Sequence, residues 1–131
     1  MMFDGINLLG VLLAAVGSFI FGAVWYGALG KAWINSVKLT PELTKPTPLT
    51  MAIAFLCQLF MSFVLAGLIY HLGGGLTAGL ISAFMIWSGF ILTSQIVNHR
   101  FQGAPWLLTL IDCSHWFGVL IIQAIILSYF S

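Results

Sequence analysis

Apolar residues in this chain gather into four long runs, roughly Ile6 to Tyr26, Leu49 to Tyr70, Leu76 to Val97 and Trp106 to Phe130. Crossing a hydrocarbon core takes about 20 residues of helix, and each run meets that length. The pattern predicts an all-α integral membrane bundle of four transmembrane helices. Only one connection is of any length, so residues 1–131 read as a single domain.

Polar and helix-breaking residues punctuate the runs. Thr47-Pro48 offers an N-cap followed by proline at the first helical position, and Gly103-Ala104-Pro105 is expected to do the same ahead of the fourth span. Gly73-Gly74-Gly75 demands a tight hairpin between the second and third spans. The segment from Gly27 to Pro46 leaves two readings open. Leu29, Trp33 and Val37 recur at helical spacing beside Lys31 and Lys38, which suits a short helix lying in the membrane interface. Alternatively the segment is an irregular loop, and Trp33 joins Trp25, Tyr26 and Trp106 as aromatic anchors at the interface.

Composition agrees with the pattern: 61% of residues are hydrophobic and 5% charged, and the mean hydropathy is +1.11. Four Lys or Arg and three Asp or Glu are too few to cover a water-soluble domain of 131 residues, so lipid is the expected solvent. The net charge of +1 argues against nucleic acid and against a polybasic lipid patch. Its placement carries more. Lys31, Lys38 and Lys45 lie between the first two spans and Arg100 between the last two, whereas the amino terminus, the Leu72 to Leu76 turn and the carboxyl terminus have no Lys or Arg. By the positive-inside rule both basic loops face the cytoplasm and both termini lie outside. The opening Met-Met-Phe-Asp has no basic leader, and the apolar stretch after it is too long for a signal core. The first run is therefore expected to be a true span.

Within the spans, small and polar residues form stripes. Gly10, Ala14, Ser18 and Gly22 recur every four residues on the first span, a surface suited to close helix packing within the chain or against a second copy. On the fourth span Thr109, Asp112, His115 and Gln123 share one face, with Trp116 at its edge. On the third Ser88, Gln95 and Asn98 do so, and on the second Gln58 and Ser62 are one turn apart. With the orientation above, all but Ser88 and Gln123 fall in the cytoplasmic half of the bilayer. They are expected to meet there in a polar cluster centred on Asp112 and His115, with His99 and Arg100 entering from the turn below.

Ionisable residues at membrane depth are costly and usually functional. An Asp and a His three residues apart can share a proton or form an ion pair, the material of proton relays and coupled transport. The same residues could instead pin the bundle by hydrogen bonds, or form a catalytic or metal site. A metal site is weakly supported, because His71 is expected at the far end and Cys113 points about 100° away from Asp112. Cys57 and Cys113 read as buried apolar thiols, with no CxxC or CxxxC spacing. No nucleophile with a base, phosphate loop or dinucleotide motif is present, so no catalytic residue, metal or cofactor is assigned and the reading leans away from an enzyme.

Gly22-Ala23-Val24-Trp25-Tyr26, Gly30-Lys31-Ala32-Trp33, Phe101-Gln102-Gly103 and Ile111-Asp112-Cys113-Ser114-His115-Trp116 carry a resemblance. The chain resembles, over nearly its whole length, a family of small bacterial membrane proteins known as domain of unknown function seventeen sixty-one. That family usually has small residues between the Asp and the His, where this chain has Cys113 and Ser114. The resemblance implies a four-span protein of a bacterial cytoplasmic (inner) membrane and transfers no mechanism. Small multidrug exporters, also of four helices, rely on a membrane glutamate in the first span, whereas the lone glutamate here is Glu42 in a loop. Fluoride channels are dual-topology dimers, which the charge bias argues against. Two functions are expected from the cluster: proton-linked, ion or small-solute permeation, or an accessory role in a larger membrane complex with the cluster as a pin. The expected partners are the bilayer and either a second copy or such a complex.

Overall fold

The computed structural model describes residue 3, residues 5–37 and residues 45–131. Four helices make up the bundle: α1 (Leu8–Ser36), α2 (Pro48–His71), α3 (Gly75–Phe101) and α4 (Trp106–Ser128). All four are long and apolar enough to cross a membrane. No strand is present among the described residues.

Local chemistry sets the ends of these helices. The Asn7 side chain caps α1 by accepting from the Gly10 amide at 3.1 Å, and Thr47 caps α2 by accepting from the Thr50 amide at 3.1 Å with Pro48 in the first turn. Gly73, Gly74 and Gly75 have φ of 96°, 78° and 89°, values that side chains with a Cβ rarely adopt, and they turn α2 back into α3. Ahead of α4, Gly103 turns with φ 68°, and Pro105 stands at the N-cap itself, not at the first helical position.

Two features depart from the expected pattern. The segment after Tyr26 does not form a separate interfacial helix; α1 continues unbroken through Trp33 to Ser36. Its 29 residues extend about 43 Å at the helical rise, more than a hydrocarbon core needs. The remainder of the expected loop, residues 38–44, lies outside the described residues. In addition, α3 passes through a π-helical turn at Trp87–Leu92 before regular helix resumes at Thr93. The Ser88, Thr93 and Ser94 hydroxyls around this turn donate back to Phe84, Gly89 and Phe90 carbonyls, which satisfies them without water.

α4 packs against all three other helices. Its antiparallel pairing with α1 is traced by close approaches from end to end: Gly10 to Phe130, Ser18 to Gln123, Gly22 to His115 and Trp25 to Ile111. The stripe Gly10, Ala14, Ser18 and Gly22 is buried along this seam, so it packs within the chain. Val11, Ala14, Leu65, Ile69, Ala83, Leu120 and Ala124 form the apolar core where the helices converge. Leu9, Ile20, Val24, Ile53, Phe60 and Leu110 point outward, as side chains solvated by acyl chains do.

Candidate functional site

Polar side chains inside the bundle separate into two layers. The central layer joins α1, α2 and α4. Ser18 donates to Gln58 Oε1 at 2.8 Å, and Gln123 Nε2 donates to Ser18 Oγ at 3.1 Å and to the Gln58 carbonyl at 3.2 Å. Ser62 donates to the Val11 carbonyl at 3.0 Å, one turn further along. All four side chains are buried, and Gln123 Oε1 has no partner. Apolar Val119 and Leu120 separate this layer from the one beyond it.

The second layer lies at the bundle end that carries the α1–α2 and α3–α4 connections. Asp112 is its centre. Its Oδ1 accepts from the Tyr26 hydroxyl at 2.6 Å, at the short end of O–H···O geometry. Trp33, two turns beyond Tyr26 on the same face of α1, stands edge-on to the Tyr26 ring and beside the same carboxylate. Oδ2 faces His99 Nε2 of α3 at 3.8 Å. On its other side the His99 ring brings Nδ1 within 2.7 Å of Thr109 Oγ1, which also accepts from Arg100 Nη2 at 2.7 Å. Arg100 donates further to the Ala104 carbonyl at 3.1 Å, and its guanidinium lies 3.5 Å over the Trp106 ring. A polar chain thus runs from Arg100 through Thr109 to His99 and, across a 3.8 Å gap, to Asp112 and Tyr26.

His115 does not join this chain. Its ring is buried on α1 against Gly22, among Phe21, Tyr26 and Trp116, with centroid separations of 6.1, 4.8 and 4.7 Å, and its Nδ1 has no partner. Asp112 and His115 leave α4 in neighbouring directions but meet different groups. The remaining polar residues are dispersed. Gln58 and Ser62 belong to the central layer, Gln95 Oε1 meets the Cys113 thiol at 3.7 Å, and Asn98 is exposed on the outer face of α3. No group of three or more His, Cys, Asp or Glu among the described residues could hold a metal ion.

The aromatic residues taken as interface anchors have further contacts. Trp25 donates from its indole to the Ile111 carbonyl at 3.1 Å, Tyr26 and Trp33 flank Asp112, and Trp106 lies under Arg100. Sequence reasoning missed Tyr26 as the Asp112 donor. Its seven-residue spacing from Trp33 was the available signal, since it places both on one face of a continuous helix.

Residues 9–128 match the family described as "Protein of unknown function (DUF1761)". The chain belongs to the DUF1761 family. No curated protein and no solved structure matches the chain. Membership covers both layers, since it runs from the first turn of α1 to the last of α4. This DUF1761 protein therefore combines four apolar, membrane-length helices with a family to which no biochemical activity is attached.

Proposed function

We propose that this DUF1761 protein is a permeation unit of the bacterial cytoplasmic membrane that takes up and releases a proton or small cation at Asp112. One observation carries the reading. The carboxylate is bonded to the neutral Tyr26 hydroxyl and faces an imidazole, while the nearby arginine makes no ion pair with it and donates from Nη2 to Thr109 and Ala104, its buried Nε being without a partner. A carboxylate paired with a permanent cation is already neutralised; one held by a hydroxyl and an imidazole can still exchange charge. Carboxylates kept at membrane depth in that condition mark ion and proton pathways.

The test is flux in proteoliposomes, with wild type compared with Asp112→Asn, a variant that keeps the shape and removes the charge. Proton or cation flux in wild type that disappears in the folded variant supports the reading. Absence of flux from well-folded wild type removes it.

A second reading, an accessory subunit of a larger membrane complex with the cluster as a pin, is favoured by the bond from Tyr26 to Asp112, which ties α1 to α4. It expects Asp112→Asn to loosen the bundle or its contacts with partner helices, with no flux in either protein.

A further inference from the structure

Hydroxyls inside apolar helices usually donate to the carbonyl one turn back. Ser36, Ser82, Ser88, Thr93, Ser94 and Ser128 all do so here. Thr109 departs from the pattern: it is buried, makes no bond to its own helix, and its Oγ1 lies 2.7 Å from each of two side chains contributed by α3. One of these is the Arg100 guanidinium, which can only donate. Thr109 Oγ1 must therefore accept there, and its own hydrogen remains to be given. The nearest acceptor for it is His99 Nδ1.

We propose that Thr109 is a positioning residue, which fixes His99 in the tautomer that carries its hydrogen on Nε2 and so presents an N–H to Asp112 Oδ2. In a neutral imidazole one nitrogen donates and the other accepts, and the bond made by one decides the role of the other. Arg100 orients the Thr109 hydroxyl, the hydroxyl occupies Nδ1 as an acceptor, and Nε2–H is left facing the carboxylate at 3.8 Å. Both Asp112 oxygens then face donors, Tyr26 O–H on Oδ1 and His99 N–H on Oδ2. No atom is transferred in this arrangement; hydrogen-bond direction alone passes from Arg100 through Thr109 to His99, and the tautomer it sets decides whether a hydrogen or a lone pair faces Asp112 across the 3.8 Å gap. The inference deepens the permeation reading and rests on Asp112 being the working group of the site.

Nitrogen-15 NMR of histidine-labelled protein in lipid bilayers tests it without reference to flux, with His99→Gln used to assign the His99 signals. At a pH where the ring is neutral, wild type is expected to show protonated-type Nε2 and unprotonated-type Nδ1 shifts. Thr109→Ser should keep that pattern, and Thr109→Val, which has a similar shape and no hydroxyl, should move His99 to a mixture or to the other tautomer. A hydrogen on Nδ1 in wild type overturns the inference even if no variant folds, and so does an unchanged pattern in folded Thr109→Val. A wild type without flux leaves this result intact, so failure of the positioning role and failure of the permeation reading are distinguishable.

Discussion

His115 of α4 rests directly on Gly22 of α1: a Cβ placed on Gly22 would lie 2.8 Å from the imidazole Nε2. The relationship is reciprocal, because a Cβ on Gly118 of α4 would overlap the tip of the Phe21 ring on α1. The two rings stack across the seam with an interplanar angle of 8°. Each helix therefore inserts a ring over the other's glycine. In lipid, where apolar side chains gain little by leaving their solvent, this close fit joins the hydrogen bonds at Ser18, Trp25 and Tyr26 in holding α1 to α4.

Gly22→Ala is expected to force these helices apart at the level of His115. The His115 ring has little room to retreat, being enclosed by Phe21, Tyr26 and Trp116. Overpacking of this kind costs about 1–3 kcal/mol. Unfolding in mixed detergent micelles would measure it, and His115→Ala in the same chain should recover part of the loss. A Gly22→Ala protein as stable as wild type would show that the seam is loose.

Tyr26→Phe removes the shortest bond to Asp112 and leaves the ring in place. Hydrogen bonds between membrane helices average about 0.6 kcal/mol and reach about 1.7, and the short 2.6 Å separation places this one toward the upper end. The expected cost is about 1.5 kcal/mol, read from the same unfolding curves. Under the permeation reading, the pH at which flux is half-maximal should move as well, because Asp112 loses a partner that binds its charged form. A flux profile that keeps its pH dependence would separate Tyr26 from the working site.

The central layer should behave differently. Gln123→Met, which keeps length and removes the amide, deletes two bonds but also an oxygen that is buried without a partner. Those effects oppose one another, and the net change is expected within about 1 kcal/mol. Flux, where present, should persist in Gln123→Met and be lost in Asp112→Asn. The opposite result would put the pathway through the middle of the bundle.

The four helices were legible because lipid imposes length and apolarity on each span, and the Thr47 cap and the Gly73 to Gly75 turn were legible because backbone geometry restricts which residues fit. The partner of Asp112 was not. Helical spacing places Asp112 and His115 on one face, yet a face tells only which way a side chain leaves its own helix. What it meets depends on the neighbours. Gly22 left space that the His115 ring fills, and Tyr26 and His99 approached Asp112 from α1 and α3. The unbroken extension of α1 was obscured by Gly27 and Gly30, which weaken helix propensity without breaking the helix. The π turn in α3 has no proline or charge to announce it.

Orientation can be tested from the loops. The charge bias predicts that the Gly73 to Gly75 turn lies outside and the α3–α4 turn in the cytoplasm. In a chain with Cys57→Ser and Cys113→Ala, a membrane-impermeant maleimide applied to intact cells is expected to label Leu72→Cys. Gln102→Cys should react only after permeabilisation. Labelling in the reverse order would invert the bundle and place the Asp112 layer at the outer face.

Deleting Gly89 tests what the π turn does. A π turn is one residue more than regular helix needs, so removing a residue inside it can restore α geometry while leaving both flanks in register. Gly89 is exposed and a Cβ there would touch nothing within 4 Å, so its loss breaks no side-chain packing and removes the carbonyl that accepts from the Thr93 hydroxyl. His99 and Arg100 should stay over Thr109, and the deletion is expected to cost less than about 2 kcal/mol, within the ordinary range for single changes. Deleting Ser94 instead, in the regular helix that follows, rotates everything beyond it by about 100°. That turn carries His99 away from Asp112 and Arg100 away from Thr109. The comparison is made by unfolding and by the His99 nitrogen-15 signature: a Gly89 deletion that perturbs His99 as strongly as the Ser94 deletion would show that the π turn itself sets the aim of the site.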